Sequence, residues 1–286
     1  MQSFNRLFII IIFLLTFIFN RTIFAQEKEE EKGKIKQFEE ELEKTKADSS
    51  NNHGDRHHRS DNEGSSFWGS LIGELIVKPV LFGVFIGSSN DDDSPYHVNL
   101  WNSYFTDYPY QSPNAGLYSS PEQTNKRFSM KLFGNYFYNS SDLQGFDFRA
   151  RICPLPFLGG AFDFTNLNED LNSKQDNIQI YNVFINYYRG RSQRLAFWWG
   201  LGVKGIESDN TRLGPALNLG TEIYPFKPIS IHANYNIGSV NERAVGELLL
   251  HLNYHIQRSI LFIGYHRYSV GSAILDGGIV GVGVYL

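Results

Sequence analysis

The residues of this sequence best suited to catalysis are its serines and histidines, and they favour no enzyme class. Ser230 and His232 would lie on one face of an extended segment, but no acidic residue stands beside them to orient the histidine, as nucleophilic catalysis requires. The sequence contains no Gly-x-Ser-x-Gly elbow, metal-binding helix motif or phosphate-binding loop. We therefore expect no catalytic residue and no cofactor.

The histidines also predict no metal site. His53, His57 and His58 lie in a polar tract, and their spacing matches no standard zinc pattern. His251 and His255 are four residues apart, which on a strand separates them by about 13 Å along one face. Two side chains at that separation cannot share an ion.

Eight charged residues fall at the polar positions of segments in which apolar and polar residues alternate. Asp147, Arg149 and Arg151 share one face of such a segment, and Asp163 should lie nearby across a turn. The whole set is Lys131, Asp147, Arg149, Arg151, Asp163, Lys204, Glu222 and Glu247. If these segments enclose an interior, the set is either a selectivity ring or pocket, or a network of ion pairs that fills the space. The mixed signs favour the ion-pair network.

The elements that position these charges are predicted β-strands. Strict alternation with a period of two is typical of a strand with two unlike faces. It recurs in residues 146–152, 195–204, 217–223, 229–238 and 280–286. Strands are predicted near 127–138, 145–152, 159–165, 178–188, 194–206, 213–224, 229–238, 245–255, 259–268 and 274–286. This pattern predicts ten strands, and eight or twelve remain open. Short connections should alternate with longer loops, such as residues 166–177.

Composition indicates which strand face lies inside. The polar faces carry mostly Asn, Ser and Gly, whereas a surface in water would be rich in charge. Aromatic residues make up 15% of the chain, yet the mean hydropathy is only -0.30, and a barrel in lipid needs apolar residues only at alternate positions. The sequence predicts an all-β, antiparallel transmembrane β-barrel with its apolar face toward lipid. The alternative is a secreted soluble β domain that buries this face.

Three segments precede the predicted barrel, which covers residues 126–286. Residues 1–25 combine a basic residue, a short apolar run and a terminal alanine, which predicts a signal peptide rather than a membrane anchor. Residues 26–66 predict a charged helix and a polar linker, and residues 67–125 an apolar segment and an aromatic extended region. The helix prediction rests on three apolar residues at helical spacing, Ile35, Phe38 and Leu42.

The last predicted strand resembles the C-terminal targeting strand of small Gram-negative outer-membrane β-barrels. The chain ends on this strand, and it ends in Leu286 where that class usually ends in Phe. The residues that carry the resemblance stand at alternate positions: Val280, Val282, Val284 and Leu286. The resemblance extends over the barrel region as a pattern. It implies insertion by the barrel-assembly machinery and no particular activity.

These features predict an outer-membrane β-barrel with a non-enzymatic structural, binding or envelope-assembly role. Expected partners are outer-membrane lipids, the barrel-assembly machinery and, through residues 26–125, periplasmic or envelope proteins. A net charge of -4 and a pI of about 6.1 point away from nucleic acid. An even strand count would bring both ends of the barrel to the periplasm, where the charged N-terminal segment is also expected. A narrow channel for small solutes and a lipid-modifying barrel enzyme stay open as alternatives.

Overall fold

A computed structural model of the chain describes residues 33–44, 103–111, 116–119, 124–139, 143–171, 174–208 and 210–286. The predicted signal peptide, the polar linker and the apolar segment that begins at residue 67 lie outside the described residues. All the elements below belong to one compact unit, Lys34–Leu286. Within the described residues, no helix has the length and apolarity needed to cross a membrane.

The described chain is almost entirely antiparallel sheet. It begins with a helix, α1 (Lys34–Glu43), and a small sheet of two strands, β1 (Tyr104–Phe105) and β2 (Tyr118–Ser119). Ten long strands follow: β3 (Ser129–Tyr138), β4 (Leu143–Leu155), β5 (Leu158–Leu171), β6 (Lys174–Arg191), β7 (Leu195–Glu207), β8 (Thr211–Phe226), β9 (Ile229–Val240), β10 (Arg243–Ile256), β11 (Ser259–Val270) and β12 (Ala273–Tyr285). Each pairs with its neighbours in sequence, and β12 pairs with β3 to close a ten-stranded barrel.

The ten predicted strands are confirmed, but the predicted long loop at residues 166–177 is wrong. Strands β5 and β6 continue through this stretch, and only residues 172 and 173 separate them. Their polar residues pair across the ladder, where the Asn177 amide donates to the side-chain oxygens of Asn166 and Asn168 at 2.7 and 2.6 Å. The outward face of this stretch is polar, at Asn166, Asn168 and Asp170, so it does not show the outward apolar residues of the other strands. Connections are therefore short at both ends of the barrel, and the longest, between Tyr138 and Leu143, has four residues.

The barrel turns its apolar side chains outward and its polar side chains inward. Along β4, Phe146 and Phe148 are 50% and 41% exposed, whereas Asp147 and Arg149 are 1% and 3% exposed. The same inversion holds around the barrel, where large apolar side chains such as Ile185, Leu201 and Val282 stand exposed. The polarity is the reverse of that of a soluble β-barrel, which buries its apolar face.

The barrel has two mouths, and each is covered by residues from before β3. The mouth at which β3 begins and β12 ends is here called the terminal mouth, and the opposite one the helix mouth. The terminal mouth carries the connections at 156–157, 192–194, 227–228 and 257–258. The helix mouth carries those at 139–142, 172–173, 208–210, 241–242 and 271–272.

Helix α1 closes the helix mouth. Its apolar residues Ile35, Phe38 and Leu42 are fully buried, while Lys36 and Glu43 on its other side are exposed. Inward-facing residues at this mouth change from polar to apolar and form one buried cluster with the helix, here called the apolar collar: Phe137, Leu143, Leu167, Ile178, Ile206, Val240, Val245, Val270 and Leu275. The burial of three such side chains stabilises the docked helix by up to about 5–9 kcal/mol.

The position of α1 corrects one expectation from the sequence. The charged N-terminal segment was expected at the end of the barrel where the sheet begins and finishes. Helix α1 instead contacts the opposite mouth, since its residues bond to Glu169, Asn241 and Arg243. Pattern analysis could not place it there, because the collar that receives it is assembled from residues of many different strands.

The β1–β2 region covers the terminal mouth. The Tyr118 hydroxyl donates to the Pro156 carbonyl at 3.2 Å, and the Gly116 amide donates to the Gln193 carbonyl at 2.6 Å. The Tyr110 hydroxyl reaches the connection between β8 and β9, where it bonds to the carbonyl of Phe226 at 3.0 Å and to that of Ile229. Tyr110, Gly116 and Tyr118 thus bind at or beside three of the four connections at this mouth.

Candidate functional site in the barrel lumen

The eight charged residues singled out in the sequence all lie in the lumen of the barrel. Their positions follow from strand parity, since each stands at an inward position of its strand. Four are basic and four acidic, and none exceeds 9% exposure: Lys131, Asp147, Arg149, Arg151, Asp163, Lys204, Glu222 and Glu247. The structure therefore brings all eight into one enclosed interior with balanced formal charge.

Direct ion pairs join six of these eight residues. Lys131 donates to Glu222 at 2.9 Å, from β3 across the lumen to β8. Arg151 donates to Asp163 at 2.5 Å, between the neighbouring strands β4 and β5. Lys204 donates to Glu247 at 2.6 Å, from β7 to β10. Two of these pairs cross the lumen and so tie strands that are not neighbours in the sheet.

Asp147 and Arg149 belong to a longer chain of hydrogen bonds. Arg149 donates to Asn135 at 2.5 Å, and Asn135 donates to Asp147 at 2.6 Å. Arg149 also donates to Nε2 of His251 at 2.9 Å. From Asp147 the chain continues through His266, as described next.

His266 bridges two carboxylates. Its Nδ1 lies 3.0 Å from Asp147 and its Nε2 lies 3.0 Å from Glu247. Both ring nitrogens thus lie within hydrogen-bond distance of a carboxylate, and an imidazole that carries a proton on each nitrogen can donate to both. Through Glu247 the chain joins Lys204 and also Asn182, whose amide donates at 3.0 Å. The network therefore links β3, β4, β6, β7, β10 and β11.

A second cluster near the terminal mouth holds a serine beside a histidine. Ser230 donates to Glu222 at 3.2 Å, while Asn253 donates to the serine oxygen at 3.0 Å and Nε2 of His255 lies 2.8 Å away. Nδ1 of His255 has no hydrogen-bond partner among the described residues, so no acid orients this ring. The serine is fully buried. Within the described residues, Glu222 therefore contacts the serine, and no acid stands at Nδ1 of His255, where a catalytic triad has its third member.

Five rings form a row of successive contacts on the inward side of the barrel, from β6 to β11. Centroid distances between successive rings are 5.4, 5.5, 5.3 and 4.5 Å, and the last two contacts are stacked. The row, here called the ring row, runs Tyr188, Trp198, His232, His251, Phe262. The rings come from β6, β7, β9, β10 and β11, and the row passes over β8 without a ring from that strand.

Gly220 explains how the row passes over β8. It is paired with Trp198, and a Cβ atom at this position would lie 2.3 Å from the indole ring. Because glycine has no side chain, Trp198 can lie across β8 and reach His232 on β9. The glycine is therefore required by close approach, and it allows the row of ring contacts to continue past β8.

The free space left near the ring row is small. A cavity of about 20 Å³, bounded by Lys131, Arg151, Trp198 and Glu222 on the inside and by Leu117 of the β1–β2 region, has room for about one water molecule. Within the described residues, no three His, Cys, Asp or Glu side chains stand close enough together to hold a metal ion. The lumen is thus filled by its own side chains.

Charged groups of the helix and of the strand ends fix α1 in the helix mouth. The amides of Lys34 and Ile35 both donate to the Glu169 carboxylate at 2.9 Å, which caps the helix N-terminus. At the other end, Glu41 binds Lys44, Ser272 and Arg243. These partners, Lys44 foremost, hold the pKa of Glu41 below its ordinary value although burial opposes this.

The alternation in the sequence identifies the charged residues but not their partners. Asn135, Asn182 and His266 carry the central chain of hydrogen bonds, and Trp198 carries the ring row. Alternation placed these residues on the inward face, which is a usable signal. It cannot tell which inward residue meets which across the lumen, because that depends on the stagger of the closed barrel.

The fold and the lumen define the class of structure as a closed ten-stranded antiparallel β-barrel with a charged, filled interior and an apolar exterior. Comparison with known proteins found no family model that matches the chain and no curated protein of similar sequence.

Proposed function

We propose that this protein is an outer-membrane β-barrel with a closed lumen, which serves as a non-enzymatic structural, binding or envelope-assembly component. The observation that carries the proposal is the inverted polarity of the barrel. Ile185, Leu201 and Val282 are 68%, 57% and 59% exposed, which would be unfavourable for a sheet surrounded by water. In a bilayer the same apolar side chains would contact lipid chains, which are also apolar.

The dimensions of the barrel support the same proposal. Strand β4 has 13 residues, which corresponds to a length of about 43 Å. At the tilt of about 40° usual for such barrels, it would rise about 33 Å, close to the thickness of a bilayer. Exposed aromatic residues stand toward both mouths, Tyr136 and Tyr138 at one and Trp199 and Tyr254 at the other. Aromatic side chains at two levels are typical of the two membrane interfaces.

The filled lumen favours a structural or binding role over the channel alternative. A conducting pore needs a continuous water path, whereas this lumen contains balanced ion pairs, the ring row, and covers at both mouths. The closed barrel would then anchor other parts of the chain in the membrane, with envelope proteins as partners. We propose no reaction, since the serine and histidine that lie together have no orienting acid among the described residues.

Membrane fractionation combined with electrophoresis tests the proposal. The protein is expected in the outer-membrane fraction and should migrate faster in an unboiled sample than in a boiled one, because a closed barrel stays compact in detergent. Planar-bilayer recordings should show no unitary conductance. Recovery in the soluble fraction would overturn the membrane proposal, and a steady unitary conductance would favour the channel alternative.

A further inference from the structure

We propose that the outer rim of the terminal mouth binds the phosphate groups of anionic phospholipids in the adjoining leaflet. This inference rests on the proposed membrane location and names the lipid class that the barrel would recognise. The residues that carry it are basic, and they encircle this one mouth. They are here called the basic rim: Lys126, Arg127, Arg189, Arg194, Lys227 and Arg258.

The basic rim has very little acidic charge to balance it. Among the described residues on the outside of this mouth, Asp107 is the one acidic side chain, and it pairs with Lys126 at 3.3 Å. Arg127 lies over the Tyr104 ring at 5.6 Å. The other four residues form no ion pair within the described part of the chain, and two of them, Lys227 and Arg258, are exposed. Their charges are available to an external anion.

Apolar side chains adjoin the rim and set its depth relative to lipid. Tyr254 and Ile256 are 48% and 50% exposed and stand just before Arg258, and Phe128, 47% exposed, follows Arg127. This order places cationic heads directly beyond a lipid-facing apolar belt. Long basic side chains at that level extend their charge toward headgroups while their stems cover apolar surface.

The opposite mouth differs in sign, so the rim is not a general surface property. The helix mouth exposes the acidic residues Asp170, Glu207 and Glu242. Its arginines Arg212 and Arg243 are engaged by carboxylates of α1 at 2.7 and 3.1 Å. Within the described residues, basic side chains therefore outnumber acidic ones on the outside of the terminal mouth, whereas the helix mouth carries acidic side chains beside basic ones such as Lys36. A phospholipid fits this arrangement better than an acidic protein, because the rim follows the circumference of the barrel at the edge of the apolar belt.

Lipid retention measured by native mass spectrometry tests the inference. The full protein, reconstituted in vesicles of phosphatidylcholine and phosphatidylglycerol, should retain phosphatidylglycerol in preference. The paired variant Lys227→Gln with Arg258→Gln should lower this preference by about tenfold, since each basic residue near a membrane surface adds several-fold to the attraction for anionic lipid. High salt should lower the preference of the native protein in the same direction.

The matched control removes two basic residues from the helix mouth, Lys36→Gln with Arg267→Gln. It should keep the native lipid preference. Two lipid results would overturn the inference: an equal loss of phosphatidylglycerol preference in both variants, or an unchanged preference in the rim variant. Retention of an acidic envelope protein at the rim in place of lipid would also overturn it. The change in electrophoretic mobility on boiling separates the two proposals. If the mobility changes but the protein shows no lipid preference, only the basic rim proposal fails. If the mobility does not change, the membrane proposal itself fails.

Discussion

At the scale of single residues, the lumen is held together by charges that have lost contact with water. Such pairs are costly to assemble, but removing one partner is worse because the other charge is left buried and unpaired. Arg149 bonds to Asn135 and His251, and Arg151 bonds to Asp163. This arrangement accounts for balanced charge in the lumen without any need for ion selectivity.

Replacement of both lumen arginines tests this interpretation. Arg149→Ala with Arg151→Ala should destabilise the barrel by several kcal/mol, since the loss of one partner from a buried pair costs about 3–5 kcal/mol. Thermal unfolding in detergent micelles would show the loss, and Arg258→Ala, an exposed arginine, is the control that should change little. A gain in bilayer conductance with unchanged unfolding temperature would instead identify the arginines as part of a selectivity ring.

Glu41 predicts how docking of α1 depends on pH. The pKa of Glu41 is lowered in the folded protein, so its ionised carboxylate stabilises docking at pH values above 4.5, the ordinary pKa of this group. This contribution is lost as the pH falls below that value. Lys44 is 53% exposed, so solvent screening limits the effect to about 1 kcal/mol. The protection of amides 34–44 against hydrogen exchange, measured relative to the intrinsic exchange rate at each pH, should therefore fall on acidification. Glu41→Gln should exchange faster at neutral pH and lose most of the pH response.

The neighbouring carboxylate provides the control for that experiment. Glu43 is 60% exposed and pairs with Arg212, so Glu43→Gln should have the smaller effect at neutral pH. Equal exchange rates in the native protein and the Glu41→Gln variant at both pH values would mean that this carboxylate does not hold the helix.

At the scale of elements, the lumen is closed in three successive layers: α1 at one mouth, the ring row within, and the β1–β2 region at the other mouth. Each layer depends on a particular local feature. The apolar collar receives α1, Gly220 lets Trp198 cross β8, and the carbonyls of the connections bind Tyr110, Gly116 and Tyr118.

A single methyl group at Gly220 should disturb the ring row. Gly220→Ala places a Cβ atom 2.3 Å from the Trp198 ring, and overpacking of this kind typically costs about 1–3 kcal/mol. Gly134→Ala is the matched control, since its Cβ atom would meet no atom within 4 Å. Chemical unfolding and tryptophan emission should change in the first variant and not in the second. Equal stability of the two variants would show that the row is not tightly packed.

Release of α1 should leave the lumen closed, because the other two layers remain. Phe38→Ala removes the largest apolar side chain of the helix from the collar, a change that costs about 3–5 kcal/mol in a well-packed core. Protease cleavage within residues 34–44 should become faster, while bilayer conductance stays absent. Lys36→Ala, on the exposed side of α1, is the control. Conductance after the Phe38 change would mean that α1 is the only seal.

Strand number, strand faces and the amphipathic helix could be predicted from the sequence, whereas contacts across the lumen could not. The period of two in residues 146–152 identifies the buried charges because parity is a local property. The strand ends at 166–177 were not predicted, since their outward residues are polar and the apolar residue Leu167 faces inward, the reverse of the pattern elsewhere. The collar, the ring row and the basic rim combine residues far apart in sequence, and only closure of the barrel brings them together.

At the scale of the whole molecule, the proposal depends on the apolar exterior facing lipid. The accessibility of spin labels tests this most directly. Cys153, the one cysteine of the chain, is buried and would be replaced by serine, and single cysteines would then carry the label at Leu201, Val282 and Arg258. Both Leu201 and Val282 face outward; Leu201 is mid-strand, and Val282 lies three residues before the end of β12. Arg258 lies in an exposed connection at the terminal mouth.

The experiment measures, for each spin label on the reconstituted protein, how often it collides with two reagents. Molecular oxygen concentrates in lipid, whereas a nickel complex stays in water. We predict frequent oxygen collisions and almost no nickel collisions at Leu201 and Val282, with the reverse at Arg258. Nickel collisions at Leu201 and Val282 as frequent as those at Arg258 would place the apolar face in water and contradict the outer-membrane proposal.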